Sequence, residues 1–107
     1  MKIWVDDVRQ APEGYVWCKT SNEAKAMITC MVTMHRLEHT ENLPVLELID
    51  LDHDAGDYAV YGGDYIEVLK FMEKNGINFP IRIHSMNPVG VENMRRIIQK
   101  NGWTEVR

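Results

Sequence analysis

Short apolar runs alternate with longer segments of helical periodicity along this chain. Residues 1–5 and 15–18 are two brief runs rich in β-branched and aromatic side chains, and both predict strands. Residues 45–51 are almost continuously apolar, which is typical of a strand buried on both faces. Residues 80–83 and 103–106 predict two further strands.

The first helical segment follows the second strand. Thr20 and Glu23 form a capping box, and apolar residues at helical spacing predict a helix from Ser21 to residues 35–38. A polar connection that ends at residues 42–44 then leads to the third strand.

The second helix is preceded by a long loop at residues 53–63, which is polar, aromatic and rich in glycine. Asp64 is predicted to cap this helix, with Glu67 completing a second capping box, and Gly76 ends it.

The third helix begins with Asn87 at the N-cap and Pro88 at the first helical position, and Gly102 ends it. The resulting order is β-β-α-β-α-β-α-β. Strands that alternate with helices predict an α/β fold with a parallel sheet and helices on both faces.

The composition limits the class of protein. With 107 residues, the chain is expected to form one domain. A net charge of −4 gives no basic field for nucleic acid, and no apolar run approaches the ~20 residues of a membrane span. Cys18 and Cys30 lack a metal-binding spacing, and the first residues do not resemble a signal peptide. We therefore expect a cytoplasmic protein with reduced thiols and no membrane partner.

Two acidic clusters follow predicted strands. Asp6 and Asp7 close the first strand, and Asp50, Asp52 and Asp54 lie at the end of the third. The carboxyl ends of parallel strands face one crevice, so the clusters are expected to meet there. Such carboxylates repel one another unless a cation or proton intervenes, and oxygen ligands favour Mg²⁺. Each cluster alone is also typical of solvated turns, and Asp50, inside its strand, needs a partner.

Two histidines are expected at the same edge. His53 and His84 each follow a strand, and histidine acts as a general acid or base near neutral pH. Either one alone would more often be a hydrogen-bonded structural residue. Zinc is a competing interpretation because histidine and aspartate both bind it, but the spacing matches no tight zinc motif.

The segment from Ser85 to Gly90 joins a strand to a helix. The free N–H groups of the helix start, with the Ser85 hydroxyl, predict an anion site in which Gly90 permits close approach. Plain capping by Asn87 is the simpler interpretation. Arg9 could bind phosphate or neutralise the acidic pair beside it.

Three stretches resemble the cyclic-phosphate-processing receiver-like domains, which are related to the receiver domains of two-component signalling. These are residues 4–12 (WVDDVRQAP), 51–56 (LDHDAG) and 81–90 (IRIHSMNPVG). The resemblance implies a flavodoxin-like three-layer sandwich with a five-stranded parallel sheet in the order 2-1-3-4-5. It also implies the processing of cyclic phosphates on RNA ends or in cyclic nucleotides.

The resemblance assigns individual roles and shows departures. Asp6 and Asp7 match the acidic pair of a receiver. Asp52, with Asp54 as the alternative, matches its phosphoacceptor, and Ser85 matches its hydroxyl residue. The usual lysine after the fifth strand lacks a counterpart, the first helix is reduced to a loop and the last helix is missing, which disfavours a classical phosphorelay.

The first hypothesis is a metal-dependent phosphohydrolase. Asp6, Asp7 and Asp52 would hold Mg²⁺ or Mn²⁺. His53 or His84 would move protons. The remaining site residues would bind phosphate (Ser85, Asn87, Gly90, Arg9), supply a further base (Asp54) or form a lid (residues 56–63).

The alternative is a non-catalytic receiver-like module that accepts a phosphoryl group on Asp52 or binds a phosphorylated ligand. A third interpretation is a small interaction domain with a relict acidic pocket. The expected partner is a small phosphorylated molecule or an RNA end, and the two histidines favour the enzyme.

Overall fold

The computed structural model describes residues 1–37 and 45–107, and the predicted helix limit at Glu38 and the connection at residues 42–44 lie outside these ranges. Its elements are β1 (Lys2–Val5), β2 (Tyr15–Cys18), α1 (Ser21–Arg36), β3 (Leu48–Leu51), a 3₁₀ helix (Gly56–Val60), α2 (Ile66–Asn75), β4 (Ile81–Ile83), α3 (Pro88–Lys100) and β5 (Glu105–Val106). The order is the predicted one, and the 3₁₀ helix lies inside the segment predicted as a loop.

The five strands form one parallel sheet in the order β2-β1-β3-β4-β5. This confirms the receiver-like, flavodoxin-like fold and the sheet order 2-1-3-4-5. The register pairs Trp4 with Asp50, and Asp50 with Arg82. The central strand β3 is buried along its whole length, which explains why it is nearly continuously apolar.

The three helices lie side by side, with α2 packed against both α1 and α3. Their buried side chains form one cluster with alternate residues of the strands, among them Ile3, Val5, Ile49, Leu51 and Ile81. Each such side chain contributes roughly 1.5–3 kcal/mol when fully buried. The hydrophobic core therefore lies on one side of the sheet.

Aromatic side chains, rather than helices, cover the opposite face within the residues that the structure describes. Trp4 meets Tyr15 edge-on, with ring centroids 5.9 Å apart, and the Lys2 ammonium lies 5.5 Å from the centre of the Tyr15 ring. The Trp17 indole N–H donates a hydrogen bond to the carbonyl of Asp6 (2.8 Å). The predicted reduction of the first helix to a loop is confirmed, because the described residues between β1 and β2 form no helix.

Two of the three predicted helix caps are present. Thr20 Oγ1 accepts a hydrogen bond from Glu23 N (2.9 Å), and Glu23 Oε2 accepts one from Lys19 N (3.3 Å). Asn87 Oδ1 accepts one from Gly90 N (3.0 Å) at the start of α3.

The predicted cap at Asp64 is wrong. Tyr65 is the N-cap residue of α2, and its side chain makes no capping hydrogen bond. Asp64 Oδ1 instead accepts a hydrogen bond from Ala55 N (2.9 Å), so it closes the loop that contains the 3₁₀ helix.

No helix in the described parts of the chain combines the length and the hydropathy needed to cross a bilayer.

Candidate functional site

Three carboxylates meet where β1 and β3 end. Asp6 and Asp7 follow β1, and Asp52 follows β3 with its N–H bonded to the carbonyl of Val5 (2.9 Å). One ligand oxygen from each of the three lies within 4.8 Å of the others. The geometry thus brings together the three residues predicted to hold a metal.

Asp6 is fully buried and firmly held. Its Oδ1 accepts hydrogen bonds from the N–H groups of Val8 (2.9 Å) and Arg9 (2.8 Å), and its Oδ2 lies 2.9 Å from His84 Nε2. Burial would raise the pKa of Asp6, but these backbone donors and the His84 ring outweigh it and lower the pKa below its ordinary value. Asp6 is therefore a preorganised carboxylate anion.

Asp7 is in the opposite situation. Burial, followed by the nearby charges of Asp6 and Asp52, raises its pKa above the ordinary value. Gly56, with a φ of +55°, touches it, because a Cβ at Gly56 would lie 2.5 Å from Asp7 Oδ2. The 3₁₀ segment thus contacts Asp7, a carboxylate whose ionised form is disfavoured by its surroundings.

His84 lies between two buried carboxylates. Its Nδ1 is 2.6 Å from Asp50 Oδ1, and its Nε2 contacts Asp6. Burial would lower the pKa of His84, but the hydrogen bonds with Asp50 and Asp6 and their charges raise it above the ordinary value. Asp50 is itself fully buried, and its Oδ2 has no hydrogen-bond partner among the described residues, with Arg82 Nη1 at 3.8 Å.

The His84 ring is also stacked on Trp4, with centroids 3.8 Å apart and the planes 5° from parallel. Trp4 Nε1 donates to the carbonyl of Arg9 (2.9 Å), and Arg9 Nη1 donates to the carbonyl of His84 (2.9 Å). Arg9 therefore lies at the edge of the site and connects the loop after β1 to the residue after β4.

The second histidine has different surroundings. His53 Nδ1 lies 2.9 Å from Asp54 Oδ1, and Asn87 Nδ2 lies 3.3 Å from Asp54 Oδ2. The hydrogen bond with His53 lowers the pKa of Asp54, burial raises it, and the contact with Asn87 lowers it. The net result is a pKa below the ordinary value. Gly90 faces the His53 ring so closely that a Cβ there would overlap it. The close approach that Gly90 permits is thus made by His53.

Ser85 and Asn87 shape the start of α3. Ser85 Oγ accepts a hydrogen bond from Asn87 N (3.1 Å), and Asn87 caps the helix through Gly90 N. Ser85 is partly exposed and directly follows His84. The helix start and the carboxylates therefore lie at one edge of the sheet, as predicted.

Residues 1–100 match the family described as Cyclic-phosphate processing Receiver domain. The chain belongs to this family. Searches among curated proteins and among solved structures return no match.

The acidic residues of this receiver domain suit a hard divalent cation. An ionised carboxylate offers about four acceptor positions. Two hydrogen bonds occupy Asp6 Oδ1 and one occupies Oδ2, so about one position remains on Oδ2 for a cation. A cation would also remove the repulsion that raises the pKa of Asp7.

Sequence reasoning did not identify several residues that shape the receiver site. Trp4 and Trp17 were assigned only to strands, and Asp64 only to a helix cap. Asp50 was expected to need a partner, but the sequence did not identify it as His84. The alternation along β1 could have identified Trp4, because it places Trp4 on the same side of the sheet as Asp6.

Proposed function

We propose that this receiver domain is a metal-dependent phosphohydrolase that opens cyclic phosphates on RNA ends or in cyclic nucleotides. The observation that carries the proposal is the meeting of the Asp6–Asp7–Asp52 cluster with the helix start at residues 85–90. A phosphate ester presents oxygens that suit a cation on one side and N–H or hydroxyl donors on the other. The family description supports cyclic phosphates as the substrate class.

The carboxylates Asp6, Asp7 and Asp52 would hold Mg²⁺ or Mn²⁺. Such a cation polarises phosphoryl oxygens and orients water when it is bound. Arg9 would assist from the edge of the crevice, because a guanidinium has five N–H donors and one hydrogen bond to the carbonyl of His84 leaves others for phosphate.

His53 is the proposed proton acceptor. When its Nδ1 carries a proton towards Asp54, its Nε2 keeps the lone pair that a general base requires. The attacking water loses a proton to His53, and its oxygen forms a bond to phosphorus. One phosphorus–oxygen ester bond breaks, and the leaving oxygen takes a proton from solvent. Asp54 would keep the ring in the productive tautomer.

Ser85 and the first turn of α3 would hold the phosphate. Pro88 has no N–H, Asn87 already satisfies Gly90 N, and Val91 N bonds to the carbonyl of Asn87. The Ser85 hydroxyl and the N–H of Val89 are therefore the proposed donors. Gly90 would act indirectly, by leaving room for His53.

Turnover of 2′,3′-cyclic nucleotides and of RNA with a cyclic-phosphate end tests this function. The wild-type protein with Mg²⁺ should open the cyclic ester, and a chelator should stop it. Asp52→Asn should abolish the metal-dependent activity, and His53→Gln should lower the rate by about 10²–10⁴-fold, as expected for the loss of a general base. Glu13→Gln, which also removes one carboxylate charge but at an exposed position of the loop between β1 and β2, should leave the rate unchanged.

The absence of turnover across the substrate panel, from protein that is folded and binds Mg²⁺, would contradict the enzyme. Beryllofluoride then distinguishes the phosphoacceptor alternative. A beryllofluoride-dependent spectral change in wild type that is lost in Asp52→Asn would favour a signalling module.

A further inference from the structure

We propose that the Asp50–His84 pair is a positioning device for Asp6, and this inference rests on the metal-dependent function proposed above. The pair joins the central strand β3 to the residue after β4 and ends on a carboxylate after β1. Neither member of the pair would touch substrate. Their role would be to fix one ligand of the cation.

The hydrogen-bond pattern of His84 supports positioning rather than proton transfer. Carboxylate oxygens of Asp50 and Asp6 face both ring nitrogens, at 2.6 Å and 2.9 Å. Both ring nitrogens are therefore engaged by buried carboxylates, and the ring is held from two sides. A ring with both nitrogens engaged in this way presents neither of them to the proton of an attacking water. This arrangement leaves proton transfer to His53.

The burial of Asp50 supports the same role. Asp50 is fully buried, and in the register of the sheet it lies between Trp4 on β1 and Arg82 on β4. A buried carboxylate costs free energy, and an apolar residue would fill a central strand at lower cost. One oxygen of Asp50 bonds His84, and the other has no hydrogen-bond partner among the described residues. The hydrogen bond of Asp50 therefore goes to His84, and in the described part of the chain its second oxygen has only the longer ion pair with Arg82, at 3.8 Å.

Trp4 fixes the plane of the His84 ring. The two rings are stacked with centroids 3.8 Å apart and planes 5° from parallel, and the indole N–H is itself anchored on the carbonyl of Arg9. A ring held in this plane can direct Nδ1 at Asp50 and Nε2 at Asp6 at the same time.

The consequence for Asp6 is a carboxylate with one orientation. Backbone donors from Val8 and Arg9 hold Oδ1, and His84 holds Oδ2. Outer partners of metal ligands typically change metal affinity by about 10–100-fold when they are removed. We expect the loss of Asp50 to lower the metal affinity in the same way, although the side chains of His84 and Asp6 separate Asp50 from the cation.

The affinity for Mn²⁺, measured by electron paramagnetic resonance of the free ion, tests the device without any need for turnover. Asp50→Asn keeps the shape but removes the charge, and we expect Mn²⁺ binding to weaken by about 10-fold. Trp4→Phe keeps an aromatic ring but loses the anchoring N–H, and we expect a smaller weakening. Glu13→Gln, which also removes one carboxylate charge but at an exposed position of the loop between β1 and β2, is the control and should bind as wild type does.

Urea unfolding of each variant separates positioning from a merely structural role. A structural role would lower the unfolding midpoint and leave the Mn²⁺ affinity of the folded protein unchanged, and that result for Asp50→Asn would overturn the proposal. If Asp50→Asn does not fold, the wild type still decides. Nitrogen-15 spectra should show both ring nitrogens of His84 in hydrogen bonds, and a ring nitrogen without a hydrogen bond would overturn it.

The outcomes for this proposal and for the proposed function are distinct. A wild-type protein that binds Mn²⁺ but opens no cyclic phosphate, with weaker binding in Asp50→Asn, would support positioning and contradict the hydrolase. A wild-type protein that binds no Mn²⁺ would overturn both.

Discussion

The imidazole ring of His84 lies parallel to the indole ring of Trp4, with ring centroids 3.8 Å apart. The contact joins a residue of β1 to the residue after β4, although β3 lies between these strands in the sheet. Asp50, on that intervening strand, bonds the same imidazole. The ionisable ring of His84 thus links three strands on the face of the sheet that the described helices leave uncovered.

The pH dependence of the free energy of unfolding should report the ionisation of His84. Burial would lower the pKa of His84, but Asp50 and Asp6 raise it above the ordinary 6.5. A raised folded-state pKa contributes stability that is complete below the unfolded value and is lost as the pH rises through the folded value. The free energy of unfolding of wild type relative to His84→Gln should therefore be largest below pH 6.5 and should fall at higher pH.

Urea unfolding between pH 5.5 and pH 9, about the range in which aspartates stay ionised, measures this difference. A difference between wild type and His84→Gln that stays constant across the range would contradict a raised pKa for His84.

Asp7→Asn should stabilise the protein when no metal is present. Burial and the charges of Asp6 and Asp52 disfavour the Asp7 carboxylate, and asparagine removes its charge while it keeps its shape beside Gly56. Thermal unfolding in the presence of a chelator should show a higher midpoint for Asp7→Asn than for wild type.

The same variant should lose the response to Mg²⁺. At about 100 times the dissociation constant, a ligand that binds only the folded state adds about 2.7 kcal/mol to the free energy of unfolding. Wild type should gain about this amount, and Asp7→Asn should gain much less. Equal gains in the two proteins would exclude Asp7 from the metal site.

Gly56→Ala should damage both stability and metal binding. The positive φ costs any side chain about 1–2 kcal/mol, and the new Cβ would push Asp7 Oδ2 away. Gly14→Ala is the matched control, because Gly14 also has a positive φ, of +87°, but a Cβ there meets nothing within 4 Å.

Comparison of the two alanine variants isolates the contact with Asp7. Gly56→Ala should lose at least as much stability as Gly14→Ala in urea unfolding, because the contact with Asp7 adds to the cost of the positive φ. Calorimetric titration with Mn²⁺ should show weaker binding for Gly56→Ala and wild-type binding for Gly14→Ala, and equal affinities would refute the coupling between the 3₁₀ segment and Asp7.

Gly90→Ala should impair the proposed role of His53 and leave metal binding intact. Alanine gains about 1 kcal/mol of helix propensity over glycine, but its Cβ would overlap the His53 ring and displace it. The rate of cyclic-phosphate hydrolysis should fall while the Mn²⁺ affinity stays at the wild-type value. A variant with full activity would contradict the role of His53.

Much of the fold could be predicted from the sequence because local patterns determined it. The apolar run before Asp52 marked the central strand, and Thr20 and Asn87 marked two helix starts through their own side-chain hydrogen bonds. The cap at Asp64 was wrong because its carboxylate had a competing partner, Ala55 N, nine positions back along the chain. Such a partner becomes visible only once the loop has folded.

The coverage of the sheet and the partner of Asp50 could not be predicted for a related reason. Periodicity shows which side of a helix is apolar, but it does not show which face of the sheet that helix covers. Likewise, the sequence shows that Asp50 needs a partner. The register places Arg82 beside it, and only the folded chain after β4 brings His84 Nδ1 to 2.6 Å from Asp50. The aromatic residues at positions 4, 15 and 17 were the available sign that side chains would cover one face.

Successive residues of β1 and of the position that follows it have different roles, because they alternate between the core and the site. Ile3 and Val5 point into the helical core, whereas Trp4 and Asp6 belong to the opposite face and to the site. Saturation mutagenesis scored separately for abundance and for activity should therefore give two interleaved patterns within one short strand. Odd positions would govern how much protein accumulates, and even positions would govern what each molecule can do.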